Sequence, residues 1–207
     1  IEERFALFDF DGSLAADAKE LWSLIAPEEE LVARAFWVQF DRVRALDPST
    51  AGEEYNELLQ QILSYMALKF GDIAGQKWVD VAHDYVSKAA EAGFTLTALI
   101  SATSAAASVG QEILVRTLGG DHDRLARLAK ALNQATLLEI DVFAAHHDSL
   151  RSRADRQRRS ARGVEFNNEM MNVVDRTAND SKALRGQAAH ASQGVRHGAP
   201  QHIGNAG

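Results

Sequence analysis

The stretch "GDIAGQKWVDVAHDYVSKAAEAGFTLTALISA", residues 71–102, decides the fold. Its apolar residues recur three and four apart instead of alternating, which is the period of an α-helix. Gly71-Asp72 resets the chain, a helix runs to about Ala92, and Gly93 breaks it. The chain then continues as "FTLTALISATSAAASVGQEILVRTL", residues 94–118, a long helix with many small residues. Small residues let a neighbouring helix or a flat ligand approach closely. His83, the first histidine of the chain, shares a helix face with Val79, Ala82, Val86 and Ala90.

Helical spacing extends outward in both directions. A first short helix carries Leu14, Leu21, Trp22 and Ile25, with Asp11 or Ser13 as its cap. Pro27 opens the next, where Glu28, Glu29 and Glu30 suit the positive end of the helix dipole. That helix carries Val32, Phe36, Trp37 and Phe40 to about Leu46, where Asp47-Pro48 interrupts it. A third helix spans about 52–70, with Leu58, Leu59, Ile62, Leu63 and Met66 inside. Gly119-Gly120 ends the small-residue helix, and Asp121 caps another that runs to about residue 150. The expected class is all-α.

Composition narrows the function. With 207 residues, 46% of them hydrophobic, the chain can build one domain of about 150 residues plus an extension. A net charge of −7 argues against a general nucleic-acid binder. No cysteine is present, which excludes disulfides and thiolate metal sites. No apolar run approaches the ~20 residues of a membrane span, and no signal peptide precedes the first helix, so a cytoplasmic location is the simplest expectation. A chain that opens at Ile1 and closes on "GAPQHIGNAG" reads as a piece of a longer protein.

Near the start, "LFDFDGSLA", residues 7–15, resembles the first motif of the haloacid-dehalogenase-type phosphatases. The resemblance implies Asp9 as nucleophile and Asp11 as proton donor. Those enzymes hold the first aspartate at the end of a central parallel strand. Residues 5–8 are the only plausible strand here, and Ser101, Thr103, Lys130 and "GGDHD" match the later motifs in spelling only. Helix initiation is the better reading of this stretch, with Phe5, Phe8 and Phe10 packed on the body of the domain or on a dimer partner.

The order of segments carries a second resemblance. A pre-helix, a helix with "ARAFWVQFDRV", a helix "LLQQILSYMALKFGD" and then "WVDVAHDYVSKAAEAGFTLTALISA" resemble the sensor globins, the globin-coupled sensors of bacteria. The resemblance covers roughly residues 1–155. It implies a globin-like fold with an N-terminal pre-helix, and haem b with His83 as proximal ligand to the iron. A neutral imidazole in an apolar pocket suits that task, although periodicity alone makes His83 a core residue. Phe36, Trp37, Tyr65, Met66, Val79, Val86 and Phe94 would then line the haem pocket. Trp37 stands where the family often has a tyrosine, so Tyr65, Gln61 or Tyr55 would supply any distal polar group. The family's pattern after the histidine is replaced by "HDYVSK", which leaves a haem-free form open. His146 and His147 are expected to face solvent.

From Arg151 the composition changes to the basic, nearly core-free "RSRADRQRRSARG", a solvated helix continuation or linker. Phe166, Met170, Val173, Thr177, Ser181, Leu184, Ala188, Ala191 and Val195 then recur four and three apart. This is either a coiled-coil-like seam pairing two helices in a homodimer or a frayed amphipathic tail. The expected domains are a sensor at 1–155 and a helical linker or signalling helix at 156–207. The resemblance implies a sensor, not an enzyme, of a diatomic gas such as oxygen or of redox state. Its signal would pass through the helical dimer to an absent output domain, such as the signalling part of a methyl-accepting chemotaxis protein and its kinase array.

Overall fold

The structure is a computed structural model and describes residues 1–44 and 53–197. Seven α-helices follow in order among the described residues: α1 Glu2–Phe8, α2 Leu14–Ile25, α3 Glu29–Arg44, α4 Glu53–Gly71, α5 Gln76–Glu91, α6 Leu96–Leu118 and α7 His122–His197. A 3₁₀ turn, Ala26–Glu28, joins α2 to α3 around Pro27. The all-α class is as expected, and no strand occurs among the described residues. The Asp47-Pro48 break, Tyr55's side chain and the seam positions Ala188, Ala191 and Val195 lie outside what is described.

The chain divides into two units, Ile1–Arg151 and Ser152–Gly207. The first holds the core. α4 buries Leu59, Ile62, Tyr65, Met66 and Phe70, and α5 buries Trp78, Val79, Ala82, Val86 and Ala89. α6 packs most extensively on α3. α6 is also the one described helix long and apolar enough to cross a membrane by length and composition. Its Ala98, Leu99, Ala102, Thr103, Ile113, Leu114 and Leu118 are buried within the unit, as in a core helix. In the second unit, every described side chain from Arg153 to Gln187 is exposed.

At the opening residues the strand expectation fails and the helix-start expectation holds, with Asp11 Oδ1 accepting the Ser13 N–H at 3.3 Å. Residues 5–8 belong to a helix, not a strand. The α2 entrance is capped by Asp9, whose Oδ1 accepts the Leu14 N–H at 3.0 Å. Ser13 directs its hydroxyl to Asp11 (2.7 Å) and Asp17 (2.8 Å) instead. Asp11 pairs with Lys130, and that bond, reinforced by Ser13, lowers its pKa to about 2. Phe5 and Phe8 pack on the core, whereas Phe10 is exposed.

α7 clamps this segment with one face. Arg124 bonds Glu20 at 2.6 Å, Arg127 bonds Glu20 at 2.7 Å and also Asp17, and Gln134 donates to the Phe8 carbonyl at 2.6 Å. Spacings of three and seven keep these residues on one side of the helix.

The α5–α6 corner depends on Gly93, which has φ +80°. The Phe94 N–H reaches the Ala89 carbonyl at 2.8 Å, and the Gly93 N–H reaches that of Ala90 at 3.0 Å. This six-to-one and five-to-two pair is a Schellman motif, with the left-handed residue at its required place. The turn delivers the Phe94 ring to Phe40, 5.3 Å away. Gly93→Ala places a Cβ on a left-handed residue, so the expected loss is about 1–2 kcal/mol, seen as a lower urea midpoint with unchanged slope.

Candidate functional site: an apolar cavity with a buried ion pair

Inside the first unit lies a cavity of about 440 Å³, within the ~300–1,000 Å³ typical of small-molecule sites. Its wall is mostly aliphatic and aromatic. Phe36, Trp37 and Phe40 come from α3, Tyr65 and Met66 from α4, Tyr85 from α5, and Phe143 from α7. On the α6 side, Thr103, Ala106, Ala107 and Gly110 leave the space open. The small-residue run in the sequence is thus partly a cavity wall. A Cβ on Gly110 would stand 3.4 Å from Ile25 Cδ1 and 3.5 Å from Leu132 Cδ2, so the backbone there approaches both closely.

A polar cluster interrupts the apolar wall. Glu139 Oε1 accepts the Tyr65 hydroxyl at 2.6 Å, and Glu139 Oε2 accepts the Lys69 ammonium at 2.8 Å. The Lys69 and Glu139 side chains are only 7% and 6% exposed, and Lys69 Nζ lies 4.5 Å from the Phe70 ring centre. Burial, then the Glu139 charge, pushes the Tyr65 hydroxyl well above its ordinary pKa, so it stays a donor. Cation and carboxylate cancel, which leaves the cluster neutral. Two further polar atoms of the wall, Trp37 Nε1 and Thr103 Oγ1, are buried and have no hydrogen-bond partner among the described residues.

Of the residues that the sequence grouped, Phe36, Trp37, Tyr65, Met66 and Phe94 line this cavity, and His83, Val79 and Val86 do not. Helix geometry gives the reason. The buried stripe of α5 is Trp78, Val79, Ala82, Val86 and Ala89, and His83 sits one residue beyond Ala82. Two residues advance about 200°, so His83 and Tyr85 flank that stripe on opposite sides. Tyr85 turns to the cavity. His83 stacks on His146, with ring centres 4.2 Å apart and planes 12° apart.

His146 is therefore not a solvent residue. It is half-buried, and its Nε2 lies 2.8 Å from Ser87 Oγ. Among the described residues no histidine lines the cavity, so the residues present do not fit a haem held there by His83. Lys69 and Glu139, which sequence reasoning missed, carried one signal: a charge placed among apolar residues in each of two helices.

A family model described as RsbT co-antagonist protein rsbRD N-terminal domain matches residues 29–161. The chain belongs to that family. No curated protein matches it. The match begins at the first residue of α3 and takes in every cavity-lining residue named here except Ile25. It overturns the sensor-globin assignment, and with it the haem-based gas or redox sensing, the haem-free globin alternative and the chemotaxis output. Segment order misled because a run of helices with these lengths is shared by many bundles. The family is regulatory and not enzymatic, and the phosphatase reading falls with it.

Two measurements probe this geometry. Glu139→Gln keeps an acceptor for Tyr65 but strands the Lys69 charge, at an expected cost of about 3–5 kcal/mol in urea unfolding. Adding Lys69→Met recovers most of that loss, a coupling that a surface pair would not show.

The histidine stack gives a pH signature. Burial, then the neighbouring His146, lowers the His83 pKa below 6.5, with Asp80 opposing and Arg4 and the N-terminus reinforcing. The unfolded chain then binds more protons on acidification. The contribution of His83 to stability is complete above pH 6.5 and is lost as pH falls through that value toward the folded pKa. His83→Gln flattens the fall in urea midpoint between about pH 7.5 and about pH 5.5.

Proposed function

We propose that the chain is a cytoplasmic regulatory domain of partner-switching stress signalling, acting on protein partners. The observation that carries this reading is the match over 29–161 to a family described as a co-antagonist of RsbT. A co-antagonist works together with other proteins, so association is part of the function.

The second unit supplies a surface for it. Phe166, Met170, Val173 and Leu184 are 64%, 45%, 55% and 65% exposed, respectively. They stand at the four-and-three spacing of a helix-pairing seam. The occupant best suited to such a self-complementary stripe is the same helix of a second copy, giving a homodimer.

Light scattering during gel filtration tests the proposal, on the chain alone and mixed with RsbT and an antagonist partner. The expected result is a dimer that enters a larger species with those proteins, and a monomer for the double variant Phe166→Lys, Met170→Lys. A monomeric wild-type chain that stays separate from them overturns the reading.

A further inference from the structure

The cavity contains an unsettled hydrogen-bond account. Trp37 Nε1 can only donate, and the Thr103 hydroxyl can donate or accept. Both atoms are buried and unpartnered among the described residues, and Thr103 as a whole is 4% exposed. An orphaned buried polar group costs free energy, and an apolar side chain of the same shape avoids that cost.

The backbone positions that carry these two groups stand at one level of α3 and α6. Gln39 on α3 bonds Ser101 on α6 at 2.7 Å, and Glu28 before α3 pairs with Arg116 near the end of α6. The two helices therefore run antiparallel. Stepping back two residues on α3 and forward two on α6 brings Trp37 level with Thr103. Both side chains line the same cavity, whose charged pair is already neutralised internally.

We propose that the cavity binds a neutral, largely apolar small molecule through a hydrogen-bond acceptor taken up by the Trp37 indole N–H and the Thr103 hydroxyl. The aromatic wall takes the apolar body. Neutrality follows from the Lys69–Glu139 pair, since a charged ligand would enter a largely apolar site whose buried charges are already paired with each other. Access lies beside Lys88, which lines the cavity yet is exposed and pairs with Asp84 at 2.6 Å. The proposal deepens the regulatory reading by naming an input for it, but its test involves no protein partner, so either can fail alone.

Fluorescence titration of the whole chain tests it with Prodan, a neutral naphthalene bearing a carbonyl acceptor, beside dimethylnaphthylamine, which lacks the carbonyl. The expected result is blue-shifted, saturable binding of Prodan. Thr103→Val and Trp37→Phe each weaken Prodan binding about tenfold, the worth of one hydrogen bond, and leave the carbonyl-free probe unchanged. Ala106→Phe fills the cavity and abolishes binding of both probes. Thr103→Val also raises the urea midpoint of the ligand-free protein, the signature of a polar group kept for binding and not for folding. Failure of Prodan to bind, equal losses for the two probes, or a lower midpoint for Thr103→Val overturns the proposal.

Discussion

The Glu139 carboxylate is the constraint around which the interior is organised. A buried charge is tolerable only when paired and hydrogen-bonded. Glu139 meets that condition by drawing Tyr65 and Lys69 from α4 onto α7. α4 must present both side chains to α7 at one level, four residues apart on one helix face. The Lys69 stem and ammonium then lie against the Phe70 ring, which stacks on Trp22 of α2 at 5.6 Å. One ion pair thus fixes the rotation of α4 relative to two other helices. It also makes the cavity electrically neutral while leaving it lined by polar-capable side chains.

A second set of ion pairs has a different character. The Arg124, Arg127 and Lys130 face of α7 holds α2 and the segment before it through the partly exposed Glu20 and Asp11 and the buried Asp17, with all three cations themselves partly exposed. Such pairs are individually weak in water, and their effect here is positional. They set the N-terminal segment against α7, so Asp9 and Asp11 serve a helix entrance and an ion pair. A motif spelled like a catalytic one carries no chemistry without the strand that would aim its carboxylates.

Much of the architecture was legible in local pattern. The three-and-four periodicity of α4, α5 and α6, the reset at Gly71-Asp72 and the break at Gly93 are local, and each corresponds to an observed boundary. Gly93 was readable because its job, a left-handed turn closing a Schellman motif, is local as well. The cavity was legible in part. Phe36, Trp37, Tyr65, Met66 and Phe94, which the globin resemblance had gathered around a haem, line this cavity, since aromatic residues on successive helices tend to meet in a core. His83 was misplaced because a flank residue and a face residue differ by only one position in sequence, yet by about 100° around the helix.

What the sequence determined by itself was the class and the elements from α2 to α6, with their breaks, and which residues were apolar enough to be buried. Those depend on interactions within a few residues of each other. Sequence alone did not place α1 and stopped α7 near residue 150, whereas α7 runs to His197. The tertiary structure alone decided which flank of α5 faces the cavity, which histidine meets His83, and that Lys69 and Glu139, 70 residues apart, cancel each other's charge. It decided too that Trp37 Nε1 and Thr103 Oγ1 end buried in one cavity wall with no hydrogen-bond partner among the described residues. These outcomes depend on the rotation and register of helices packed from distant parts of the chain. Local periodicity constrains a helix's apolar face but leaves the partner of its polar flanks open.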